Sequence, residues 1–416
     1  MKMVPPWWSM MLLLSSPAVS SGPAICEQSD GQKLTALHPK ANDFFGFSLA
    51  LSDNRLLVGA QGSADKGLSE YATVFVRKGD NWVSEAVLSA ADGGAGDNFG
   101  GAVAIDADIA VIGARRHDAV AEDAGAAYLF ARRGSDWQQL AKLTAENAAA
   151  GDEFGYSVAI DGDTLAIGAP RNDSVADDAG AVDIFEKANG QWRQTAVLSA
   201  PDGAAGDVFG ISLSLSDSRL LVGADLTDQG GENAGSAYIF RREAGDWQFE
   251  TKLTARDADA GDLFGIRVHL DGDLALIGAA RDDERAENAG AAYIFRRTDR
   301  EWQQEAKLIP PDGAANDRFG TRVAVSGDTL AVGSILHDGS VTDAGAVYVY
   351  QKKGGNWRVT RKLVASESAG EDVFGWGLTM NKNHIAVGAP GFIVTKPGIA
   401  GAAYVFDLKV LGCLEE

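Results

Sequence analysis

Residues 152–170 read DEFGYSVAIDGDTLAIGAP. From Tyr156 to Ile160 apolar and small polar side chains alternate, the period of a strand with one buried face. Asp161-Gly162-Asp163 then supplies the residue types that tight hairpin turns select for their positive φ angles. A second strand runs from Thr164 to Ala169. The stretch predicts an antiparallel hairpin, entered through Phe154-Gly155 and left through Gly168-Ala169-Pro170.

The hairpin recurs along the whole chain. An Asp-x-Phe-Gly motif places its Phe at 45, 99, 154, 209, 264, 319 and 374, spaced by 54 once and by 55 thereafter. A Val-Gly or Ile-Gly pair follows each, as at Ile112-Gly113-Ala114 and Val332-Gly333-Ser334. A third segment ends in an aromatic pair, as in Tyr128-Leu129-Phe130 and Tyr238-Ile239-Phe240. A fourth starts at Trp82, Trp137, Trp192, Trp247, Trp302 or Trp357 and reaches a Leu six residues on. No segment holds a sustained helical period. Seven units of four short strands predict an all-β fold, a seven-bladed β-propeller of four-stranded antiparallel blades.

The seventh unit stops after its third strand. Its missing fourth strand is found at the other end of the chain, where Lys33-Leu34 matches Lys142-Leu143. The N-terminal strand is therefore expected to close the ring by joining the last blade, which hides sheet edges. This divides the chain into a secretory signal at 1–20, an N-terminal segment at 21–31, the propeller at 32–408 and a C-terminal tail at 409–416. The signal rests on Lys2, the apolar run 10–14 and the small residues Ala18-Val19-Ser20; a plain apolar tail is the alternative. Cys26 and Cys413, the only cysteines, flank the expected seam. A disulfide between them is expected in an oxidising compartment, with two unpaired thiols as the alternative.

Composition narrows the partners. With 37 Lys+Arg against 58 Asp+Glu the net charge is −21. That argues against nucleic acid, which wants a basic stripe, and against anionic lipid. Gly is 50 of 416 residues, about 12% against the usual ~7%, and 45% of residues are hydrophobic. This is the composition of a folded, turn-rich chain. No apolar run reaches the ~18 residues of a membrane helix, so no membrane span is expected.

Phe154-Gly155 with Gly168-Ala169-Pro170, and Phe374-Gly375 with Gly388-Ala389-Pro390, resemble the FG-GAP repeat, the blade unit of integrin α-subunit heads. The resemblance covers roughly residues 32–408. It implies a secreted, periplasmic or cell-surface propeller used for adhesion or ligand binding. The family's blades can carry a calcium loop, Asp-x-Asp-x-Asp-Gly, between their first two strands. Here that loop is cut to Asp106-Ala107-Asp108 or Asp161-Gly162-Asp163, too short to wrap calcium. No cofactor is required, and calcium stays open only through other loops.

Those loops carry two acidic columns. One is Asp118, Asp173, Asp228, Asp283 and Asp338; the other includes Asp123, Asp178 and Asp343. They belong to the face formed by the inter-blade loops and the loops between second and third strands. Asp118, Asp123, Asp173, Asp178, Asp338 and Asp343 are the candidate metal ligands. The alternative is that these Asp residues cap turns. Basic pairs such as Arg132-Arg133 mark turns on the opposite face. In the inner strands, Arg267, Arg322 and His269 stand where other blades have small residues. Either nearby acids satisfy them, or they line a polar channel able to hold an anion. Trp376, alone in the inner strand of the seventh blade, is a further stacking candidate.

Five scattered His, no His-Glu-x-x-His and no Gly-x-Ser-x-Gly elbow give catalysis little support. The expected function is a non-catalytic binding or adhesion propeller engaging a protein partner, acting as a monomer. A glycan-binding propeller is the alternative, and a hydrolytic propeller a lesser one.

Overall fold

The computed structural model of the chain describes residues 25–39, 42–62, 70–339, 341–367, 372–391 and 400–409. The expected signal at 1–20 and Cys413 lie outside the described residues, as does most of the tail. Every regular element among the described residues is a β-strand. They form seven antiparallel blades in chain order. In the third blade Ser157–Asp161, Thr164–Ala169, Ala181–Ala188 and Gln191–Leu198 pair in sequence, from the central axis outward.

Closure follows the expected route. Gln32–Leu34 pairs antiparallel with Ala402–Asp407, with Lys33 opposite Tyr404. Phe45 of the first blade then shares one buried cluster with Ala386 and Ala403 of the last. The segment ahead of the closing strand takes a course the repeat pattern did not indicate. Glu27–Gln28 lies parallel to Asn356–Leu363, making the sixth blade five-stranded. The Cys26 carbonyl accepts the Lys362 amide at 3.0 Å. Cys26 therefore sits beside the sixth blade, not the seventh.

The two glycine motifs are the seams between blades. Gly155 has φ +91°, and a Cβ there would stand 2.4 Å from the Ala126 carbonyl oxygen of the preceding blade. Gly168 has ordinary dihedrals, yet its Cβ would stand 2.2 Å from the Gly210 carbonyl oxygen of the next blade. Only a residue without a side chain permits that approach. Phe154 fills the space beside this seam. It packs with Ala127 and Leu129 of the second blade and with Leu165, Ile167 and Phe185 of its own. The same arrangement repeats around the ring, so the core is a chain of inter-blade clusters rather than one central mass.

Candidate binding face

The Asp of each Asp-x-Phe-Gly motif holds the turn that enters the inner strand. Asp152, Asp207, Asp262 and Asp317 each accept the amide three residues back, at 2.8–2.9 Å. Asp43 accepts the Phe45 amide and the Tyr71 hydroxyl.

The acidic columns are built into their own loops. Asp118 accepts the Asp123 amide at 2.8 Å, Asp173 that of Asp178 at 2.7 Å, and Asp338 that of Asp343 at 2.9 Å. Asp228 and Asp283 do the same for Asn233 and Asn288. The receiving residues all have φ near +50°, a conformation Asp and Asn tolerate best after Gly. Their carbonyls in turn accept amides of the next blade, such as Glu153 and Val208. The columns are thus clasps between blades, one per loop. Among the described residues no group of three or more His, Cys, Asp and Glu is gathered as a metal site. We expect Asp118→Ala to cost about 1 kcal/mol, the usual worth of a capping side chain. The loss should be equal in calcium chloride and in EDTA, read from thermal melts. A loss confined to the calcium sample would favour the metal reading.

A second clasp joins Asp of the inter-blade loop to Tyr of the third strand and Lys of the fourth. Asp92 accepts Tyr128 and Lys142, Asp202 accepts Tyr238 and Lys252, and Asp312 accepts Tyr348 and Lys362. Burial, reinforced by the paired carboxylate, pushes these tyrosine hydroxyls far above their ordinary range. The clasp is missing from blades 1 and 3. There Thr73 and Asp183 replace the Tyr, His38 and Asn147 the Asp, and Val87 and Val197 the Lys.

The basic turns of the opposite face are largely engaged. Arg132 meets Glu85 at 3.1 Å, Arg242 meets Glu186 at 2.7 Å and Arg297 meets Glu250 at 3.0 Å. Trp137 and Trp302 donate to the same Glu85 and Glu250. These residues bolt neighbouring blades together, so the rim of free positive charge suggested by the sequence is mostly neutralised.

The inner-strand exceptions do come together. Arg267, His269 and Arg322 line the axial channel, a cavity of about 410 Å³. Burial lowers the His269 pKa. At the channel mouth, on the face that carries the acidic loops, Arg267 and Arg322 also line a second cavity of about 340 Å³. Its walls add Phe47, Tyr156, Trp376, Arg115 and Asp225. The Arg322 guanidinium lies 4.8 Å from the Trp376 ring centre, and Phe47 packs on that ring at 5.5 Å. Arg115 stacks on Tyr156 and is paired with Glu153 at 3.1 Å. Burial pushes the Asp225 carboxyl up to about 6, against the pull of Arg267 and Arg281. Arg115 and Asp225 fall in a loop column of no repeating chemistry, Gln61, Arg115, Pro170, Asp225 and Ala280. That column was the only sequence signal for them.

The sequence model of one family, described as the FG-GAP repeat, matches residues 29–76, 82–130, 137–185, 192–240, 247–295, 302–350 and 357–406. Each match begins near the fourth strand of one blade and ends in the third strand of the next. The first begins just ahead of the strand that completes the last blade. No curated protein matches the chain significantly.

Proposed function

Because the chain belongs to the FG-GAP repeat family, we propose that it is a non-catalytic binding propeller, secreted or held at the cell surface, that engages a protein partner. The contact face is the one made by the inter-blade loops and the loops between second and third strands. One observation carries this reading. Most of the exposed large apolar side chains gather at that end of blades 1–3: Leu37 at 62% exposure, Val120 at 59%, Val175, Val87 and Val197. Two of them, Val87 and Val197, stand where the Lys of the Tyr-Asp-Lys clasp has been lost, and Leu37 adjoins His38 at the position of the lost Asp. Apolar side chains set among charged loops suit a protein surface, whose contact cores are depleted of charge.

The test is a photo-cross-linking amino acid placed at Val120, Val175 or, on the opposite face, Asp163, in the source cells. A discrete adduct with one protein from the first two positions and none from the third is expected. Adducts from all three positions, or from none, would overturn the reading. Glycan-array binding abolished by Val120→Asp and Val175→Asp, without a protein adduct, would replace it with a lectin.

A further inference from the structure

We propose that the cavity at the channel mouth is a binding site for an organic carboxylate, clamped by Arg267 and Arg322 against the wall formed by Trp376 and Phe47. The site is independent of any protein partner on the loop face.

Arg322 is only 9% exposed, yet the one hydrogen bond its guanidinium makes to protein among the described residues is with the adjacent Thr321 carbonyl, at 3.0 Å. Arg267 likewise bonds only the Ile266 carbonyl, at 2.6 Å. Among the described residues neither has a carboxylate at ion-pair distance, whereas Arg115 in the same cavity has Glu153. A guanidinium does not shed its proton to escape burial, so two such groups side by side are costly unless an anion joins them. Burial and the neighbouring Arg267 both work against the Arg322 charge.

The other blades show that the cations are not needed to build the ring. In the same column Ser48, Ser157 and Ser212 donate to the Gly100, Gly210 and Gly265 carbonyls of the next blade at 2.6–2.9 Å. Blades five and six give up that seam bond for an Arg directed at the axis. Register shifts between Phe264 and Arg267, and between Phe319 and Arg322, set both residues opposite a glycine, Gly278 and Gly333.

Charge and shape name the ligand class. Arg115 is cancelled by Glu153, and Asp225 offsets one of the two remaining lining arginines. The lining thus has a surplus of one positive charge, which matches a monoanion and disfavours a dianion. A guanidinium fork matches the two oxygens of a carboxylate. With the Arg322 guanidinium 4.8 Å from the Trp376 ring centre, the aromatic wall offers apolar contact to the carbon skeleton that bears the carboxylate.

The probes are sodium acetate, sodium D-glucuronate and a short peptide with a free or amidated C-terminus, each titrated calorimetrically into the full chain. Sodium chloride and sodium sulfate at matched ionic strength are the controls. Binding of at least one carboxylate probe is expected, with a higher melting temperature. Glucuronate binding would mark an acidic sugar as the source; binding of only the free-terminus peptide would mark a chain terminus. In Arg322→Met and Arg267→Met the affinity should fall roughly 30-fold or more, as when one partner of a buried charge pair is deleted. Without ligand, the melting temperature of Arg322→Met should match or exceed that of the parent, because an unpaired buried charge has been removed. Absence of binding by every carboxylate probe would overturn the proposal. So would equal binding of sulfate, or variants that lose stability while keeping the affinity.

Discussion

Gly168→Ala is expected to lower the unfolding free energy by about 3 kcal/mol or more, the upper range for overpacking a rigid core. The added methyl would stand 2.2 Å from both the Gly210 carbonyl oxygen and the Ser157 hydroxyl. The carbonyl is backbone in the neighbouring blade. It can retreat only if the blades part, which would also stretch the Ser157 hydroxyl bond to the Gly210 carbonyl at 2.6 Å. Gly162→Ala is the matched control. Gly162 has φ +57° and no atom near its absent Cβ. Its substitution should cost about 1 kcal/mol, the left-handed penalty alone. Urea denaturation of the two variants measures the difference. Equal losses would mean that turn conformation, and not the close approach of blades, fixes the glycines of this repeat.

That distinction explains why the fold was readable from the sequence. Phe154, Gly155, Gly168 and Asp152 each answer a local demand met again in every blade, so the demand is written at a fixed interval. Closure was readable for the same reason, since Lys33-Leu34 keeps the register of Lys142-Leu143. The course of Glu27–Gln28 along blade six was not, because a two-residue strand repeats nowhere else.

The cavity was half readable. Arg267 and Arg322 stand out as exceptions within a column of small residues, and Trp376 as the one Trp of the inner strands. Arg115 and Asp225 do not, because their column varies freely. Only the ring geometry turns that column toward the axis. The acidic columns were readable as turn caps, and each carboxylate is engaged by an amide five residues on. Repetition in this chain records structure, and departure from it marks the candidate sites.

Asp183 is a departure with a measurable consequence. It occupies the position of Tyr128 and Tyr238 and is 2% exposed. Its hydrogen-bonded neighbour is Gln194, whose amide donates to it at 2.7 Å. Burial, with repulsion from Asp152 and Glu146, pushes its carboxyl up to about 7. In the unfolded chain an Asp ionises near ~3.9. As pH rises from about 4 to about 7, the unfolded state releases this proton first. The native state therefore loses stability across that window, and the full penalty is present above it. The gap corresponds to roughly 4 kcal/mol at about 1.4 kcal/mol per pH unit.

Asp183→Asn keeps the acceptor for Gln194 and removes the charge. It should raise the unfolding free energy at pH 8 by about 4 kcal/mol and change little at pH 4. Urea titrations at the two pH values check both. A gain of equal size at pH 4 would mean that packing, and not ionisation, limits this site. Asp183→Tyr should gain less than Asn at pH 8. Asn147 and Val197 hold the positions of the Asp and Lys in the clasp, so the new hydroxyl would be buried without the partners that Tyr128 and Tyr238 possess.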